Sequence, residues 1–102
     1  MITTQQARVL FFILAYRSEH GYSPTIREVM TAMGFRSPNG VRGHLRALAR
    51  NRLIQPMPRP APARGIVPLV SMVPVRRYIG TVQVPTDRML IFGPGICEEV
   101  TL

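Results

Sequence analysis

Residues 25–50 read TIREVMTAMGFRSPNGVRGHLRALAR, and this stretch decides the fold. Thr25 stands three residues before Glu28, the spacing of a capping box in which each side chain satisfies the other's backbone amide. Ile26, Val29 and Met33 then share one helical face, and Gly34 stands where a C-cap glycine belongs. The spacing predicts a short helix over 26–33. Ser37 is expected to be the next N-cap, and Pro38 suits a first helical position because no amide hydrogen is needed there. Beyond it Val41, Leu45 and Leu48 form an apolar stripe, while Arg42, Arg46 and Arg50, four apart, form a basic one. Two short helices joined through Gly34-Phe35-Arg36 make the helix-turn-helix pattern.

Upstream, Thr3 and Gln6 form a second capping-box signature. Behind it Val9, Leu10, Ile13 and Tyr16 recur at helical spacing and Gly21 closes the segment, which predicts a helix over 4–19. Phe11 and Leu14 point away from that face, and such a pair of outward apolar residues marks a contact surface, on which the tail is expected to pack or to mediate self-association. Ser23-Pro24 is an extended entry to the next helix, since the residue before proline avoids helical dihedrals.

Downstream, Leu53-Ile54-Gln55 reads as a short strand able to pair with Ile66-Val67. Between them the prolines at 56, 58, 60 and 62, which lack ladder donors, exclude a helix or central strand. This stretch reads as a basic wing hairpin or as a proline-rich linker. Residues 70–102 carry strand-like runs at Val73–Val84, Met89–Phe92 and Ile96–Leu102, with Gly93-Pro94-Gly95 as a turn. The expected class is α+β: a three-helix winged unit over 1–69 and a small β-rich extension over 70–102, too short for a core of its own.

The chain has 102 residues and a net charge of +8, and all 13 of its Lys/Arg residues are arginine. Residues 1–55 hold most of the charge, with eight arginines against Glu19 and Glu28. Arginine forks clustered in the helical part fit a polyanion partner. A bias in base composition that replaces lysine by arginine for solubility is the alternative. The single cysteine, Cys97, excludes an internal disulfide or a multi-cysteine zinc site and reads as a small apolar residue. His20 and His44 lack neighbouring ligands and read as surface or packing residues, so no cofactor or metal is expected. No apolar run reaches a membrane span, and a cytoplasmic, nucleoid-associated location is expected.

At Gly34-Phe35-Arg36-Ser37-Pro38-Asn39 and His44-Leu45-Arg46-Ala47-Leu48-Ala49-Arg50 the chain resembles the DNA-binding domain of the LexA repressor family. The likeness runs from Thr4 to Ile54 and resumes at Arg64-Gly65-Ile66 after a longer, more proline-rich wing. It implies a bacterial transcriptional repressor of the SOS-response type. A winged helix-turn-helix would place its third helix in the major groove of double-stranded DNA. The DNA-binding set expected on this basis is Thr25, Arg36, Ser37, Asn39, Gly40, Arg42, Gly43, Arg46, Arg50, Arg59 and Arg64. Asn39 has the paired donor and acceptor that read an adenine edge, and Arg42 favours guanine or phosphate. Arg42 and Gly43 depart from the family pattern, which commonly carries acidic residues there; Gly40 replaces a small non-glycine residue.

LexA repressors also carry a self-cleaving part with a serine nucleophile and a lysine base. No lysine is present here, Tyr78–Pro85 lacks the Ala-Gly pair of a cleavage site, and the chain stops short of a catalytic core, so no enzyme activity is expected. With the usual dimer surface missing, homodimers or heterodimers through the tail or the Phe11/Leu14 face are the expected associations. The alternative function is an interaction protein that titrates a related repressor without reading DNA, which the helix-weakening Gly40 and Gly43 favour.

Overall fold

The computed structural model describes residues 2–58, 62–75, 77–84 and 87–102. Three helices come first: α1 (Thr4–His20), α2 (Ile26–Met33) and α3 (Pro38–Arg50). Both expected capping boxes form. The Thr3 hydroxyl accepts from the Gln6 amide at 3.1 Å and Gln6 Oε1 accepts from the Thr3 amide at 3.0 Å. The Thr25 and Glu28 pair repeats this at 3.1 and 2.8 Å. Gly34 ends α2 at φ +73°, a left-handed conformation that glycine adopts without steric penalty. The third cap differs from expectation. Ser37 occupies the N-cap of α3 but its side chain makes no capping bond. No acidic or amide side chain at the third helical position reciprocates, since Gly40 stands there.

At its other end α3 closes through backbone bonds. The Leu53 amide donates to the Leu48 carbonyl, and the Arg52 amide to the Ala49 carbonyl, both at 3.0 Å. This is a Schellman closure in which Arg52 takes φ +61°, a place usually held by glycine. It turns the chain sharply into the wing.

The wing ladder is shorter than expected and shifted. Ile54 bridges Pro68, with the Gln55 amide donating to the Val67 carbonyl and the Leu69 amide to the Leu53 carbonyl, both at 2.9 Å. Ile66 was expected in that ladder, but its carbonyl accepts from the Ser23 hydroxyl and its side chain is buried. Pro56 and Pro58 stop the ladder on the other side because they have no N–H to give.

The remaining strands are β1 (Ser71–Pro74), β2 (Arg77–Ile79), β3 (Val82–Val84), β4 (Arg88–Gly93) and β5 (Ile96–Thr101). β1, β4 and β5 form an antiparallel sheet in the order β1-β4-β5, and β2 and β3 form a separate hairpin. Alternation along β4 is clean: Met89 and Ile91 are buried while Arg88 and Phe92 are exposed. Cys97 lies opposite Phe92 and is exposed, so its small apolar character is not used for burial.

One apolar cluster unites the helices with this sheet. It contains Val9, Leu10 and Ile13 of α1, Val29 of α2 and Val41, Leu45 and Leu48 of α3. The wing strands add Leu53, Ile54 and Ile66, and the tail adds Val70, Met89, Ile91 and Val100. Fully burying one such Leu or Ile side chain contributes about 1.5–3 kcal/mol. β1 and β5 pack against α1, as the outward apolar residues of that helix led us to expect, and Leu14 is partly buried against the core. Phe11 stays exposed. Gly93 is required at the join, because a Cβ there would lie 2.9 Å from Val70 Cγ1 and 3.0 Å from the Leu69 carbonyl. No helix among the described residues is long and apolar enough to cross a membrane.

Candidate nucleic-acid interface

The packing of α3 decides which of its side chains remain free. Val41, Leu45 and Leu48 are buried, so the residues one position on, Arg42 and Arg46, are turned outward, as is Arg50. Arg36, Ser37, Pro38, Asn39 and Gly40 are all exposed at the N-terminal end of α3. That end presents backbone amides without intrahelical partners and the positive end of the helix dipole. Arg42 Nη1 donates to Asn39 Oδ1 at 3.4 Å, a long bond that gives the two side chains a common surface. Behind them Phe35 stacks on His44 with ring centroids 5.1 Å apart, which gives His44 a packing role.

Gly40 and Gly43 have room for a side chain. A Cβ at Gly40 would meet the Phe35 ring at an ordinary 3.7 Å, and one at Gly43 would meet nothing within 4 Å. Neither glycine is demanded by contacts within the fold.

Between α3 and the wing lies a cleft of about 1000 Å³. Arg42, Arg46 and Arg50 line one wall, Arg27 comes from α2 and the half-buried Thr25 from its N-cap, and Pro56, Met57, Pro58, Pro62 and Ala63 form the wing side. Leu45 and Ala49 lie beneath. None of the five acidic residues of the chain lines it. Four guanidinium groups therefore share a concave surface with no internal countercharge, which favours an extended polyanion. Arg27 was missed in the sequence. Its only signal is its place on α2, two residues after the capping Thr25 and beside the buried face.

The expected site residues thus divide. Thr25, Arg42, Arg46 and Arg50 meet in the cleft; Arg36, Ser37, Asn39 and Gly40 cluster at the exposed start of α3; Gly43 is half-buried within α3. Arg59 lies outside the described residues. Arg64 is directed away from the cleft, into a polar cluster at the start of α2. Its Nη1 donates to Glu28 Oε1 at 2.8 Å and to the Ser23 carbonyl at 2.9 Å, and its guanidinium lies 4.5 Å from the centre of the Tyr22 ring. Tyr16, expected on the core face, is half-buried and donates its hydroxyl to Glu28 Oε2 at 2.6 Å. That bond, with the Thr25 amide next in strength, holds the Glu28 carboxyl down to a pKa of about 2. The same bond raises the pKa of the Tyr16 hydroxyl.

The comparisons with known proteins fall on this region. The family profile described as LexA DNA binding domain matches residues 1–64. A LexA repressor of Desulfatibacillum aliphaticivorans is 37% identical over 82 residues, covering 71% of this chain and 40% of that protein. One from Anaeromyxobacter dehalogenans is 42% identical over 67 residues, covering 66% of this chain and 28% of that protein. One from Pseudomonas aeruginosa is 42% identical over 65 residues, covering 64% and 31%. The chain spans less than half the length of these relatives. The match takes in all three helices, the helix-turn-helix and the wing as far as Arg64, and the chain belongs to the LexA DNA-binding domain family.

Proposed function

We propose that the chain binds double-stranded DNA sequence-specifically and acts as a transcriptional repressor. The observation that carries this reading is the arginine-lined cleft between α3 and the wing, next to a free helix start bearing Asn39 and Arg42. In this reading α3 enters the major groove. Asn39 reads an adenine edge and Arg42 a guanine edge, while Arg27, Arg46 and Arg50 hold the phosphates that run through the cleft. The family match and the relatives named as repressors support it. Selection of bound duplexes from a random pool tests it: a converged site is expected, and an unconverged pool contradicts it.

Gly40 and Gly43 favour a second reading, in which the chain titrates a related repressor. Both glycines weaken α3 without any packing reason within the fold. The same selection separates the readings, because a titrating protein enriches no site.

A further inference from the structure

Arg64 closes the wing loop, two residues before the buried Ile66. The cluster it enters joins four parts of the chain. Tyr16 and Arg17 come from α1, Tyr22 and Ser23 from the following loop, Glu28 from the first turn of α2, and Arg64 with Ile66 from the wing. Arg17 Nη1 donates to the Ser23 hydroxyl at 3.0 Å, and that hydroxyl donates in turn to the Ile66 carbonyl. Glu28 Oε1 has two tasks, accepting from the Thr25 amide at 2.8 Å as part of the α2 cap and from Arg64 at 2.8 Å, while Oε2 takes the Tyr16 hydroxyl. Thr25, the partner of that cap, lines the cleft, and so do Pro62 and Ala63, immediately before Arg64. The Gly65 amide bonds back to the Pro62 carbonyl at 3.1 Å, which ties this turn to the anchored arginine.

We propose that Glu28 and Arg64 form a latch that holds the returning arm of the wing against α2 and so sets the width of the cleft facing α3. Arg64 is then a positioning residue, acting through the wing rather than by touching phosphate. This rests on the DNA-binding reading for its consequence, but the latch itself is a property of the free protein. A phosphate contact and a latch make opposite demands on Glu28. If Arg64 served phosphate, Glu28 would compete for it, and neutralising Glu28 would strengthen DNA binding. If the pair is a latch, neutralising Glu28 frees the wing and weakens binding.

The test is Glu28→Gln, which keeps the α2 cap because glutamine also serves in a capping box. Trypsin is the first readout, because it cleaves after arginine and the 64–65 bond lies in the latched arm. With helical content unchanged by circular dichroism, cleavage between Arg64 and Gly65, identified by fragment mass, is expected to be about threefold faster, the effect of losing a half-exposed ion pair. Tyr16→Phe, which removes one hydroxyl from the cluster, should accelerate the same cut by less. The second readout is affinity for the selected duplex, which should fall in Glu28→Gln. Cleavage at the parental rate overturns the latch. Faster cleavage with equal or tighter DNA binding overturns its role in setting the cleft. A parent that binds no duplex refutes the DNA-binding reading and with it that role, while the cleavage rates still decide the latch.

Discussion

Arg42 and Asn39 stand one helical turn apart on the exposed face of α3, and Arg42 Nη1 donates to Asn39 Oδ1 at 3.4 Å. The bond is long enough to yield to a base edge, yet it orients both side chains in one direction. Replacing Arg42 by alanine is expected to relax preference at one G·C position of the selected site, at a cost of about 1–3 kcal/mol. Comparison across single-base variants checks this. A uniform loss over all variants with a smaller salt slope would assign Arg42 to the phosphate backbone instead. If the two residues act together, Asn39→Ala and Arg42→Ala should be non-additive in a double-mutant cycle.

Gly40 and Gly43 separate stability from recognition. Room for a Cβ at both positions means that Gly40→Ala and Gly43→Ala should each stabilise α3 by about 0.5–1 kcal/mol, read as a raised denaturation midpoint. If these glycines serve close approach to the duplex, the same variants bind the selected site more weakly. Raised stability with unchanged affinity would show that the glycines do not serve close approach.

Glu28 makes stability depend on pH in a stated direction. Its carboxyl has a pKa of about 2 in the fold against an ordinary 4.5. The native state therefore favours the ionised form, and the stabilisation is complete above pH 4.5 and lost as pH falls towards 2. Tyr16 and Arg64 are the titratable groups that face it. The melting temperature of the parent should exceed that of Glu28→Gln at neutral pH, with the gap closing across this acid window. A gap that stays constant would contradict the assignment.

Much of this was legible because it is local. The Thr3/Gln6 and Thr25/Glu28 boxes, Gly34 and Pro38 each act within four residues, so α1, α2 and α3 could be placed from spacing alone. Ser37 was placed correctly as an N-cap, but whether its hydroxyl bonds an amide depends on a rotamer that spacing does not fix. The shift of the wing ladder required knowing that Ser23 takes the Ile66 carbonyl, 43 residues away. The engagement of Arg64 with Glu28 spans 36 residues in the same way. The helical wheel marked Phe11 and Leu14 as a contact face, and the tail sheet packs on α1 with Leu14 partly buried, but the wheel alone does not say that Phe11 stays exposed.

We propose that these residues do not perform the serine-lysine self-cleavage that the family resemblance implies. Its 102 residues include no lysine to act as base, so a serine within them has no lysine to deprotonate it. Incubation at alkaline pH or with activated recombinase filaments should leave a single band. Two fragments cut within residues 79–86 would contradict this.

The central claim is that the cleft and the start of α3 read a DNA sequence, and equilibrium titration tests it most directly. The protein is titrated with its selected duplex and with a scrambled duplex of equal length, at about 50 and about 200 mM salt. The account predicts that the selected duplex binds about 10³-fold tighter. It also predicts that both affinities fall steeply with salt as the arginines release counterions. Equal affinity for the two duplexes, or no binding to either, would contradict it.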